Sequence, residues 1–184
     1  MGIGHRHWGT AFPSLNYAII VGLMFAASTM PAIGQTLHQK LIFASRDISN
    51  VWARQFQTFK RTWISPNTYI YINRISTPCG VMGNGNAQYC PRNNTIYLNQ
   101  PFVSRVDHRV GDFAAITVLA HEYGHVVQRL LGLSHANPYP VQDELQADCF
   151  AGVYAKDAMA RGLLDASDIP EATAQSYASG DSTF

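Results

Sequence analysis

The sequence predicts a small α+β domain, mainly helical, with a short sheet beside its central helix. Apolar residues recur at helical spacing in four stretches, two short runs between the first and second stretches alternate as strands do, and punctuation residues bound each stretch. Of the 184 residues, 47% are hydrophobic and 14% charged, which is enough apolar material for one core and too little charge for a disordered tail. No internal repeat and no linker divides the chain further.

Taken in order, the N-terminal segment that precedes these four stretches reads as no part of the domain. Tyr17 to Ala27 is almost wholly apolar, follows a segment whose one formal charge is Arg6, and runs into the small residues Ala32 and Gly34. That pattern reads as an export signal over residues 1–34, cut after Gly34, with the folded domain at 35–184. The run is short against the roughly 20 apolar residues of a spanning helix, so an uncleaved anchor starting near Phe12 is the alternative. Only through that segment would the chain meet a membrane.

Asp47 stands as N-cap before Ile48, Val51, Trp52, Phe56, Phe59 and Trp63, whose spacing predicts a helix to about Arg61 with its aromatic stripe in the core. Thr68 to Arg74 alternates as a strand, and Thr95 to Leu98 reads as a second one. Between them Cys79 and Cys90 flank a loop of Gly80, Gly83, Asn84, Gly85 and Asn86. A disulfide there would compensate for the flexible backbone, worth roughly 3 kcal/mol in loop-closure entropy. Cys149 is then left over as a reduced thiol. Asp112 caps a helix over about Phe113 to Leu131 that stops at Gly132. Pro140 opens another that runs to about Arg161 and ends at Gly162, and Asp168 with Pro170 opens a last one that stops at Gly180.

The chemistry lies in the two central helices. His121, Glu122, Tyr123, Gly124 and His125 form an H-E-x-x-H pattern. On a helix, a spacing of four sets both imidazoles on one face about 6 Å apart, able to grip one zinc ion from the same side. Glu122 then lies beside the metal's open position. A catalytic zinc needs a third protein ligand, and Glu144, 19 residues beyond His125 on the next helix, can supply it. Asp148, one turn further, is placed to accept the second N–H of a liganding imidazole. The chain has three glutamates, and two of them fall at these positions. His135, on the loop between the helices, is a minor contender for third ligand. Leu131 and Gln128 exclude the metzincin pattern, which needs histidine and glycine there. Cys149 is about 140° round its helix from Glu144, facing away from the metal, and is expected to be a buried thiol.

These residues carry a resemblance. From about Val51 to Asp181 the chain resembles the bacterial family of putative neutral zinc metallopeptidases: Val51, Trp52 and Phe56, then T-P-C-G at Thr77 to Gly80, Y-C-P at Tyr89 to Pro91, Ile96 to Leu98, A-H-E-Y-G-H-V-V-Q at Ala120 to Gln128, and E-L-Q-A-D-C-F-A-G at Glu144 to Gly152. The resemblance implies a zincin-like fold, one Zn2+ per chain, His121, His125 and Glu144 as ligands, and Glu122 as the catalytic carboxylate. This chain departs from the family with Val126 after the motif and Ser182 in the G-D-D position, and it stops at Phe184 where the family commonly continues with a short histidine-containing segment. In zincins the strand before the motif helix commonly binds substrate by β-addition, which puts Asn94 to Asn99 along the cleft.

The expected function is an exported, zinc-dependent peptidase acting on a peptide or protein substrate, with Glu122 as proton shuttle for the attacking water. Candidates for a second donor to the oxyanion are Tyr123, His135, Tyr139, Tyr154 and Arg161. The alternative is a zinc-stabilised, catalytically inactive binding module of the cell envelope, motivated by the missing C-terminal segment. A purely structural zinc is normally enclosed by four protein ligands, whereas three ligands and a non-liganding glutamate describe an open site. With a formal net charge of +1 and no basic patch, nucleic acid is not an expected partner.

Overall fold

The computed structural model describes residues 36–134 and 139–180, the last four of these by backbone alone. The export segment and His135 lie outside the described residues. The elements run α1 (Leu37–Thr58), β1 (Asn67–Tyr71), β2 (Ile75–Thr77), β3 (Gly80–Met82), β4 (Ala87–Cys90), β5 (Thr95–Asn99), α2 (Gln100–Arg109), α3 (Asp112–Leu131), α4 (Pro140–Ala160) and α5 (Asp168–Gly180). This is the α+β, mainly helical architecture that the sequence predicts. Helix α3 is its axis, packed against α1, α2, α4, α5 and the strands β4 and β5. Its Phe113, Leu119, Tyr123, Val126 and Val127 are buried with Leu41, Ile48, Val51, Trp52 and Phe56 of α1 and Ile96 and Leu98 of β5 in one core. Among the described residues, no helix is long and apolar enough to cross a membrane.

Helix α1 begins eleven residues before the predicted start after Asp47. Thr36 is its N-cap, accepting from the Gln39 amide while the Gln39 side chain accepts from the Thr36 amide, a capping box that satisfies two otherwise orphaned donors. Asp47 is therefore mid-helix, and it accepts from Arg161 and from the Tyr154 hydroxyl instead of capping. The stripe on α1 is core at Trp52 and Phe56, but Phe59, just past the helix, is 52% exposed. Helix α2 is an element the sequence reading lacked. Asn99 caps it, its side chain accepting from the Phe102 amide, and Pro101 sits in the first turn where no N–H is needed.

The three-stranded sheet has the order β1-β5-β4, with β1 parallel to β5 and β4 antiparallel to it. This corrects the expected path of a substrate. Strand β5, within the segment Asn94 to Asn99, is central, paired on both sides and buried along its whole length, so it has no free edge to offer. It is an ordinary sheet strand; the sheet's edges are β1 and β4, and β4 is the edge strand that packs beside α3. The Asn99 amide donates to the Asn86 carbonyl, so by alternation Ala87 and Tyr89 turn their backbone groups to the open side. Strands β2 and β3 form a separate hairpin between β1 and β4. Strand β1 ends at Tyr71, three residues before the predicted Arg74.

Cys79 and Cys90 are joined by a disulfide with an S–S distance of 1.98 Å, tying the hairpin to β4. Cys149 is exposed, not buried as expected: the side of α4 that faces away from the histidines has no described element over it.

Candidate metal centre

Two helices build the centre, and one glycine sets how closely they meet. A Cβ at Gly124 would lie 2.6 Å from the Ala147 carbonyl oxygen and 2.8 Å from its Cα, so α3 and α4 pass backbone to backbone here. That approach brings His121 and His125, which flank Gly124 on α3, against Glu144 and Asp148, which flank Ala147 on α4. His121 Nε2 lies 3.1 Å and His125 Nε2 3.5 Å from Glu144 Oε2, and one donor atom from each of the three falls within 4.8 Å of the others. A tetrahedral shell with bonds of about 2.0–2.1 Å has neighbouring ligands about 3.3–3.4 Å apart. The observed separations straddle that value, and the donor set of two imidazoles and one carboxylate suits zinc.

Each imidazole is held by its other nitrogen. His121 Nδ1 is 2.7 Å from Asp148 Oδ1, the position expected of Asp148 from the sequence. His125 Nδ1 is 2.8 Å from Gln128 Oε1, and Gln128 is itself fixed by donating to the Asp143 carbonyl and to Gln146. Both rings thus donate from Nδ1 and turn Nε2 to the common point, which is the second layer that metal-bound histidines usually have. The sequence reading missed Gln128. Its spacing of three from His125, on the same helical face, was the available signal.

Glu122 is buried, and its Oε2 accepts from the Tyr89 amide on the free edge of β4 at 2.7 Å. Burial pushes its carboxyl above the ordinary range, against the pull of His121, His125 and the Tyr89 amide. A carboxylate so raised is suited to accepting and returning a proton. For His121, burial favours the neutral ring, but hydrogen bonds to Asp148 and Glu144 outweigh it and raise its pKa to about 10. The same two histidines hold the Glu144 carboxyl well below its ordinary value.

The oxyanion candidates separate cleanly. Tyr123 donates to the Ser45 carbonyl in the core. Tyr154 and Arg161 are engaged by Asp47 at the far end of α4. Tyr139, at the N-cap of α4, is 62% exposed and lines the cleft with His121, Glu122 and Glu144.

A small α+β domain with two histidines and a glutamate converging from adjacent helices, beside a buried non-liganding glutamate, defines a candidate mononuclear metal centre open on one side. The chain belongs to the family described as putative neutral zinc metallopeptidase, which it matches over residues 32–184. It is 34% identical over 152 residues to the uncharacterised protein YpfJ of Escherichia coli K12, covering 72% of this chain and 52% of that protein. It is 32% identical over 129 residues to the uncharacterised protein Rv2575 of Mycobacterium tuberculosis H37Rv, covering 63% and 43%. The chain thus spans about half the length of the curated relatives it matches. No solved structure matches it.

Proposed function

We propose that this domain is an exported, zinc-dependent peptidase with one zinc per chain, held by His121, His125 and Glu144. The observation that carries the reading is the convergence of three donors at the head of an open cleft, with the carboxylate of Glu122 buried alongside and a free strand edge running past it. Zinc bound there would supply Lewis acidity, polarising the scissile carbonyl and easing deprotonation of the attacking water.

The chain's own residues do the rest. The open N–H and C=O of Ala87 and the C=O of Tyr89 pair with an extended peptide, holding it along β4, while the Tyr89 N–H is kept for Glu122. Glu122, steadied by the Tyr89 amide, takes a proton from the attacking water and returns it to the amine that leaves. The hydroxyl of Tyr139 donates to the oxyanion as charge develops on the carbonyl oxygen. Export accords with the disulfide and the apolar N-terminal run.

The experiment is cleavage of a mixed peptide library by the zinc-loaded chain, before and after chelation. Cleavage that disappears with the metal and returns with added zinc supports the proposal. A chain that holds one zinc yet cuts nothing in the library is a binding module.

A further inference from the structure

Beyond Glu122 the cleft continues under α2 as an open cavity of about 1190 Å³. Phe102, Val106 and Val118 give it an apolar wall, and Arg105 and Arg109, one turn apart on α2, line the same cavity. Arg54 pairs with Asp157, and Arg161 with Asp47 and Asp157, on other faces of the domain, so what sets Arg105 and Arg109 apart is that both line this cavity. Among the described residues, Arg105 and Arg109 have no carboxylate partner. Two cations left unmatched on an apolar wall beside a reactive centre form a receptor for an anionic group, and guanidinium geometry suits a carboxylate.

The position of Arg105 fixes where along a bound peptide that carboxylate falls. Its Nη2 lies 3.6 Å from where a Cβ on Gly85 would stand, two residues before β4 begins. Glu122 is anchored at Tyr89 on the same strand. A peptide laid along β4 at about 3.3 Å per residue meets the guanidinium about two to four residues from the bond beside Glu122.

We infer that this cavity is a substrate subsite: its wall takes a bulky apolar side chain next to the scissile bond, and Arg105 with Arg109 grips a carboxylate a few residues further along. The preferred substrates are peptides with such an apolar residue and an acidic group on that side. The acidic group is either the peptide's own C-terminus or an aspartate or glutamate side chain. As a statement about turnover this rests on the peptidase reading, but as a statement about binding it does not.

Matched fluorogenic peptides test it on the zinc-loaded full chain. One pair differs only in a free or amidated C-terminus, and another only in glutamate or glutamine at the internal position. In one pair or the other, the acidic member should have a kcat/KM higher by about tenfold or more, the ordinary gain from a charge-assisted pair. Which pair responds identifies the source of the carboxylate. The double variant Arg105→Gln, Arg109→Gln should bring that ratio close to one, and Arg105→Glu, Arg109→Glu should turn it in favour of lysine-bearing peptides. In parallel, fluorescence anisotropy of the same peptides on zinc-loaded Glu122→Gln should give the same preference, weakening as salt rises. Equal values for acidic and neutral members of both pairs, or a preference that survives the double glutamine variant, would overturn the subsite. If no peptide is cut but the anisotropy preference holds and is lost with the arginines, the peptidase reading fails and the subsite stands.

Discussion

At the N-terminus of α3, Asp112 meets Asp168 and Glu171 of α5; about two and a half turns along the same helix, His121 and His125 meet Glu144 of α4. In both clusters the candidate donor atoms lie within 4.8 Å of one another. At the first, every acid is already engaged: Glu171 accepts from the Phe113 amide, Asp112 from Lys40, and Asp168 from the Asp165 amide. Its work is to cap α3 from another helix, since Gly111 at the N-cap has no side chain to do so. At the second, partners occupy the Nδ1 atoms and leave the Nε2 atoms pointing at one place. Proximity of ligand types is common to both ends, and what marks the candidate metal centre is that its three donor atoms point at one place.

The largest effect expected from that contrast is on metal binding. His125→Ala should weaken zinc binding about a hundredfold or more, because about 10–16 kcal/mol is shared among only a few ligands in sites that bind zinc tightly. Asp168→Asn should leave both affinity and stoichiometry unchanged. Isothermal titration with zinc reads both, and equal losses would erase the distinction between the two ends.

Each end also has a glycine that admits its partner, and the two should fail differently. Gly124→Ala pushes a methyl group into the Ala147 backbone, so it should cost about 1–3 kcal/mol of stability and weaken zinc binding as Glu144 moves away. At Gly111, where φ is +142°, an added Cβ would land on the Glu171 carboxyl. Gly111→Ala should cost about 1–3 kcal/mol in denaturant titrations while zinc affinity holds. Gln128→Ala should have a smaller effect on zinc, about tenfold in affinity through the released orientation of His125, with about 1–3 kcal/mol of stability lost along with its buried bonds to the Asp143 carbonyl and Gln146.

The mildest test is pH. In the metal-free chain the folded-state pKa of His121 is raised to about 10, above its ordinary 6.5. A raised pKa contributes stability that is complete below about 6.5 and is lost as pH rises towards 10. Metal-free thermal melts should therefore fall across that window, and Asp148→Asn should flatten the slope. A metal-free midpoint that rises with pH would contradict the pairing seen here.

What could be read from the sequence divides along the same physical line. The spacing of His121, Glu122, His125, Glu144 and Asp148 is a within-helix property, so periodicity alone put each on the face it occupies. The true role of Asp47 could not be read that way, because its partner Arg161 is 114 residues distant. Local chemistry made it look like a cap. Thr36 and Gln39 did carry a readable capping signal, but it stood at the edge of the segment assigned to export. The centrality of β5 and the edge position of β4 depend on which strands pair, which neither run discloses by itself. The exposure of Cys149 depends in the same way on what the rest of the chain leaves uncovered.

The central claim is that Glu122 moves a proton and does not hold the metal. Glu122→Gln preserves size and helix propensity and leaves the three proposed ligands in place. Measured side by side for bound zinc and peptide hydrolysis, this variant should retain about one zinc per chain and lose about a hundred- to ten-thousandfold in rate, the usual contribution of a positioned general base. Hydrolysis by zinc-loaded Glu122→Gln at the parent rate would contradict the account.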